Sequence, residues 1–486
     1  TVISRSQIDA DLAQIKQSFR CVRTYSVSSG LAEVPAMARK HGLRVILGLW
    51  IGNEAADNEL EIKQGLAVLK RDADVINAVI VGNEVLLRRD QPASVLIGYL
   101  RRVRAATSVP VTYADVWEFW LRNPEVLDAT NFVTIHILPY WEDDPIAADR
   151  AVDHVLNVYN RVHDAFPGRR ILIGETGWPS AGRQREGALP SLVNQAAFIR
   201  NFSAIAQERA LDYNLVEAYD QPWKRALEGT VGGHWGIFNA DGDEKFARKG
   251  PVAENPQWQR GWAAAAVMAA VFVVLAAIGI RAPGLLLMVL AGTACGGALW
   301  QAGIDVAQWA RNFWETFGGN AFILVSGLAS FAVARALAAS SDGIRLTRVP
   351  APAGVLPRWF MTDQSAFGAL ERLLGLLRFV LLAGMSVVCL LLLADPRYRD
   401  FPVALFVVPS CGYALLRLIA DERLDLSCGA EERAMALLIA VTAAGIALQE
   451  GWQNLQALEW SALCLLFAGS IIVPGRRRLS PPVSPR

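Results

Sequence analysis

Cysteine is scarce in these 486 residues and poorly placed for a covalent framework. Of six, only Cys21 falls in the first half; Cys295, Cys389, Cys411, Cys428 and Cys464 lie within or beside long apolar runs. A disulfide scaffold is thereby excluded for the N-terminal part. Histidine numbers only five, with no paired His or Cys spacing, so no zinc site and no other metal or cofactor is expected. The GxxxxGK run that cradles phosphates is missing as well. Excess charge of either sign is lacking: the net charge is +1, and nucleic acid is not expected as a partner. No signal peptide is visible and the chain opens on Thr1 rather than Met, so an export signal is expected upstream.

Lysine draws the sharpest line along the chain. Lys16, Lys40, Lys63, Lys70, Lys224, Lys245 and Lys249 all precede residue 250, and none follows. An apolar share of 53% and a mean hydropathy of +0.28 therefore conceal two unlike halves. Beyond Lys249 seven runs approach the roughly 20 apolar residues that cross a bilayer: Trp262 to Ile280, Gly284 to Gly303, Ala321 to Ala339, Leu373 to Ala394, Val403 to Ala420, Ala434 to Leu448 and Ala457 to Val473. The domains read as a soluble part at 1–249, a polar linker at 250–261, an all-helical transmembrane region at 262–475 and a basic cytoplasmic tail at 476–486. If the first span runs inward, one side receives Arg281, Arg345, Arg348, Arg358, Arg423 and the tail arginines, the other only Arg311, Arg397 and Arg399. Positive charge collects inside, so the soluble part faces outward, which in a bacterium means a multi-pass protein of the inner membrane with a periplasmic domain. Arg335, Arg378 and Arg417 fall near the inner ends of spans, where snorkelling is the economical expectation.

In the first half, apolar runs alternate with helical patterns about every 30 residues, the signature of parallel βα units. The runs are CVRTYS at 21, RVILGLWIG at 44, NAVIVGNEV at 77, VPVTYADV at 109, NFVTIHILPYW at 131, RRILIGE at 169 and DYNLVEAYD at 212. The spacing predicts a TIM (β/α)₈ barrel that lacks its first strand in this chain, since the sequence opens in what should be the following helix. An open doubly wound sheet is the alternative.

Two of these strands end on an acid with a glycine one or two residues before it. Glu175 closes Ile171-Leu-Ile-Gly174 and is followed by Thr-Gly-Trp-Pro; Glu84 closes VIVGN. The carboxyl ends of such strands are where barrels keep their chemistry. A lone acid there is ordinarily a solvated or capping residue, but two in matching contexts fit glycosidic cleavage with retention, which needs a nucleophile and an acid/base about 5 Å apart. Neither motif has a Ser, His or Cys beside it that would point to a nucleophilic triad.

VGNEVLLR and GETGWPSAG, with LPYWE and DQPWK, resemble the family 17 glycoside hydrolases, the β-1,3-glucan-active branch of the retaining (β/α)₈ glycosidases, over roughly Ile8 to Phe246. The resemblance implies Glu84 as acid/base and Glu175 as nucleophile. The two-part layout more loosely resembles bacterial proteins linked to β-1,3/β-1,6-glucan formation. Expected partners are a β-glucan polysaccharide or oligosaccharide, the membrane and a glucan synthase complex. The expected activity is a membrane-anchored β-1,3-glucanase or β-glucanosyltransferase; the alternative is a non-catalytic glucan-binding subunit.

Candidate substrate-binding residues are Arg23, Tyr25, Asn83, Tyr140, Trp178, Asp220, Trp223 and Lys224. Asn83 is placed to bond the sugar 2-hydroxyl. Arg23 and Tyr140 are placed to donate to Glu175, with a structural ion pair as the other reading of Arg23. Trp178 and Trp223 each adjoin a motif and are the expected sugar platforms; Trp50, Trp117, Trp120, Trp141 and Trp235 read as packing. Lys224 beside Asp220 either binds hydroxyls or ties the loop down. His136 and His234 are assigned no role.

Overall fold

The computed structural model describes residues 2–276, 279–341, 348–349, 369–419, 425–426 and 429–472. The chain divides into two units: Thr1–Trp178 with Asn194–Asp220 and Trp235–Gly250, and Pro179–Val193 with Gln221–His234 and Pro251–Arg486.

In the first unit all seven expected strands form: β1 (Cys21–Arg23), β2 (Arg44–Leu49), β3 (Ile76–Asn83), β4 (Val111–Val116), β5 (Val133–His136), β6 (Ile171–Thr176) and β7 (Asp212–Leu215). They pair in parallel in strict sequence order. That order has no switch point, which a doubly wound sheet requires, so the alternative fails. Between them run α1 (Arg5–Lys16, before β1), α2 (Val34–His41), α3 (Ala55–Asp72), α4 (Ala93–Ala106), the short α5 (Trp117–Arg122), α6 (Ala151–Ala165) and α7 (Leu192–Glu208). Local signals set the ends: the Ser4 hydroxyl accepts from Gln7 N–H at the start of α1, and α2 stops at Gly42 with φ 63°.

The sheet curls until its edges nearly meet. Arg23, at the end of β1, donates from Nη1 to the Gly174 carbonyl of β6 at 2.8 Å. Beyond β7, the Tyr219 hydroxyl donates to Gln14 of α1 at 2.9 Å. The result is a nearly closed, seven-stranded TIM-like barrel. Its inner strands are buried on both faces, as parallel strands covered by helices are: Val79, Ile80 and Val81 of β3 are each at most 1% exposed, while the edge strands β1 and β7 are only half-buried.

In the second unit each predicted span coincides with a helix: α9 (Trp258–Ala276), α10 (Ala282–Trp309), α11 (Phe313–Ser341), α12 (Ala369–Ala394), α13 (Val403–Ile419), α14 (Ala430–Glu450) and α15 (Leu455–Ile472), the short α8 (Arg225–Glu228) standing before them. Five of these, α9 to α12 and α15, are long and apolar enough to cross a membrane. Helix α13 has 17 residues, and α14 carries Glu431 in its first turn beside Glu432. Because α9 begins at Trp258, the polar connection is shorter than the sequence implied. Gly292 and Gly296 of α10 let it press on α9, since a Cβ there would stand 2.6 Å from Ala269 Cα and 2.5 Å from the Ala264 carbonyl oxygen.

Arg378 corrects an expectation. It does not snorkel: it is 1% exposed and paired bidentately with Glu432, Nε to Oε1 at 2.8 Å and Nη2 to Oε2 at 3.0 Å. A fork of donors matched by one carboxylate solves the problem of a buried charge without reaching water. The basic tail and Arg345, Arg358 and Arg423, on which the orientation partly rested, lie outside the described residues.

Candidate active site

The two acids converge. Glu84 follows β3, where the backbone turns out of the ladder: Gly82 has φ 85° and Glu84 itself φ 53°, a left-handed conformation unusual for a non-glycine residue. Its N–H still bonds the Ala114 carbonyl of β4 at 2.8 Å, so the turn is held in register. Glu175 lies within β6. Between them stands His136, the last residue of β5, in register with Val116 of β4 and Glu175 of β6. One ligand atom from each of Glu84, His136 and Glu175 lies within 4.8 Å of the others. His136 Nδ1 is 2.8 Å from Glu84 Oε1, and Nε2 is 3.4 Å from Glu175 Oε1.

Gly174 is needed for close approach rather than for a turn. A Cβ there would stand 2.5 Å from Thr134 Cγ2, 3.2 Å from His136 Cδ2 and 3.3 Å from Arg23 Nη1. The bare backbone lets Arg23 and His136 settle against β6 beside the acid it carries.

Arg23 is the hub of the cluster. Its side chain is 1% exposed. Nη1 donates to the Gly174 carbonyl at 2.8 Å and to Glu175 Oε1 at 3.3 Å, and Nη2 donates to Asn83 Oδ1 at 2.5 Å. The Tyr25 hydroxyl donates to the same Glu175 oxygen at 2.8 Å, and burial together with the Glu175 charge drives the Tyr25 pKa well up, keeping it a donor. Burial raises the Glu84 carboxyl, but the hydrogen bond from His136, with the charges of Arg88 and Arg23, outweighs it and leaves Glu84 below its usual range. These three acid and base side chains have the makings of a cation site, but the Arg23 guanidinium lies 3.2 Å from His136 Nε2 and 3.3 Å from Glu175 Oε1, and its positive charge disfavours a second cation beside it.

The other sequence candidates divide. Asn83 is at the centre, its oxygen accepting from Arg23. The hydroxyl that donates to Glu175 is that of Tyr25; Tyr140 is fully buried edge-on to Trp178 and Trp235. Trp178, also fully buried and packed on Phe198, has no open face and is a core residue, not a platform. Asp220 pairs with Lys245 at 2.8 Å and accepts from Gly236 N–H, ties that hold the loop. Trp223 is 64% exposed with Lys224 over its ring, and both belong to the second unit. Sequence reasoning missed two residues. His136 shares a strand face with Thr134, an alternation visible in TIH. Trp50, 41% exposed, lies after β2 with the Arg88 guanidinium 4.3 Å from its ring centre, while Arg88 bonds the Asn83 carbonyl.

A parallel barrel with two carboxylates and a fixed arginine at its strand ends defines an enzyme of glycosidic bonds. Residues 1–236 match the model of the BtgE/BtgC glycoside hydrolase domain. The chain is 26% identical over 265 residues to a glucan 1,3-beta-glucosidase of Candida albicans, covering 50% of this chain and 86% of that one. A probable beta-glucosidase btgE of Aspergillus fumigatus is 27% identical over 244 residues, 48% of this chain and 42% of its own. Among solved structures, the family 17 beta-1,3-glucanosyltransferase of Rhizomucor miehei is 27% identical with a TM-score of 0.47, covering 51% of this chain and 93% of that one.

Proposed function

We propose that the protein is a retaining β-1,3-glucan hydrolase or glucanosyltransferase anchored in a membrane, with Glu175 as nucleophile and Glu84 as acid/base. The observation that carries this is the separation of the acids: with oxygens within 4.8 Å of each other they fit the close spacing of retaining enzymes and leave no room for the water that inversion places between them. The roles follow from surroundings. Glu175, 8% exposed, has one oxygen pinned by Tyr25 and Arg23, as an attacking group must be held. Glu84, whose side chain is 22% exposed, can exchange its proton with an incoming acceptor.

In the first step a Glu175 oxygen bonds the anomeric carbon, the glycosidic carbon–oxygen bond breaks, and the leaving oxygen takes the proton of Glu84. In the second, Glu84 takes a proton from the acceptor hydroxyl as that oxygen displaces Glu175. Water as acceptor gives hydrolysis; a sugar hydroxyl gives a new linkage. The name of the Candida albicans relative supports β-1,3-glucan as the substrate class. Five apolar helices support membrane anchoring, and the arginine asymmetry supports a barrel facing outward from a bacterial inner membrane, where a glucan synthase complex would supply the chains.

The full chain in detergent, given laminari-oligosaccharides, is expected to change their length distribution, with products longer than the substrate marking transfer. Glu175→Gln is expected to lower turnover on the order of 1,000-fold or more. Wild-type turnover in that variant would overturn the assignment.

A further inference from the structure

Each ring nitrogen of His136 faces a partner of fixed chemistry. Arg23 Nη1 lies 3.2 Å from Nε2; with one of its two protons given to the Gly174 carbonyl and the other shared between Glu175 Oε1 and the ring, and a guanidinium only donating, Nε2 stands as an accepting nitrogen. The ring proton then sits on Nδ1, which is 2.8 Å from Glu84 Oε1. The longer 3.4 Å separation between Nε2 and Glu175 Oε1 is what two acceptors would keep. Arg23 is itself immobilised by Gly174 and Asn83. A chain of orientation thus runs from β1 through β5 to the acid after β3, and His136, 1% exposed, has no other freedom.

We propose that His136 is a positioning residue for the acid/base: locked by Arg23 in the Nδ1–H tautomer, it donates to Glu84 Oε1 and thereby turns Oε2 toward the glycosidic oxygen as the atom that gives and takes the catalytic proton. This rests on the reading of Glu84 as acid/base. The charged groups that face the ring are Arg23 of β1, Glu84, Asp115 of β4 and Glu175 of β6. The same donation holds the Glu84 carboxyl down, in line with its direction of shift.

The test compares two substrates in the full chain. His136→Ala is expected to lower kcat/KM on laminari-oligosaccharides by about 100-fold, the scale of general acid catalysis. On a dinitrophenyl β-glucoside, whose leaving group needs no proton, kcat/KM should stay within about 3-fold of wild type. The basic limb of the pH profile should move to higher pH, because Glu84 loses a donor to its charged form. His136→Asn, whose amide nitrogen can take the place of Nδ1, should recover part of the loss, and His136→Gln, which mimics Nε2, should not. Equal losses on both substrates, an unmoved basic limb, or rescue by Gln in place of Asn would overturn the proposal. Glu84→Gln separates this from failure of the underlying reading: if it does not itself discriminate between the two substrates, Glu84 is not the acid.

Discussion

Replacing Gly174 by alanine adds one methyl group at the point where three strands meet. The Cβ would stand 2.5 Å from Thr134 Cγ2, and Thr134 cannot yield easily: it is fully buried, with its hydroxyl 3.0 Å from that of Thr112. His136 Cδ2 at 3.2 Å and Arg23 Nη1 at 3.3 Å are also crowded. Overpacking of this kind costs about 1–3 kcal/mol. The main clash is with Thr134, and relieving it also presses on Arg23 and His136, the residues that hold Glu175 and Glu84. A displacement approaching 1 Å at such a centre costs about 100-fold in rate. Gly174→Ala is therefore expected to lose activity on laminari-oligosaccharides well beyond its loss of stability. Gly98→Ala is the control: Gly98 lies on the exposed face of α4 with nothing within 4 Å of its would-be Cβ, and alanine there should stabilise by about 0.5–1 kcal/mol with activity unchanged. Thermal melts and kcat/KM on the full chain read both. Gly174→Ala with wild-type kcat/KM would refute the claim that the bare backbone sets the geometry of the acids.

Asp115 makes stability depend on pH. Burial pushes its carboxyl up to about 6 from 3.8, against the hydrogen bonds of Tyr113 and Val116. The unfolded chain loses this proton first as pH rises, so the folded state is progressively disfavoured between about pH 4 and 6, by about 3 kcal/mol in all. Asp115→Asn should remove that slope, gaining on wild type across the window; parallel melting curves at pH 4.5 and 6.5 would count against it. In the helical unit, Glu432→Ala leaves Arg378 buried without its carboxylate and should cost about 3–5 kcal/mol. Arg378→Leu added to it should restore much of the melting temperature in detergent. No recovery in the double variant would mean the pair serves some purpose other than mutual neutralisation.

The sequence by itself determined the strands, the helices and the two acids. Buried parallel strands must be continuous apolar runs and membrane-length helices must be longer ones, so both were legible from composition over short windows. Glu84 and Glu175 were legible because each ends such a run after a glycine, a position that topology turns into the rim of a barrel. Partners were not legible. That Asp220 takes Lys245, 25 residues on, that Arg378 takes Glu432 rather than the membrane surface, and that Tyr25 donates to Glu175 all depend on side chains distant in the chain. His136 looked like an ordinary strand residue, and Trp178 like a sugar platform, until the curl of the sheet put one between the acids and closed the other inside the core. Strand periodicity fixes which face a residue occupies, but only the register and curvature of the finished barrel decide what stands opposite it. Those are set by the packing of the whole sheet at once, and so belong to the tertiary structure.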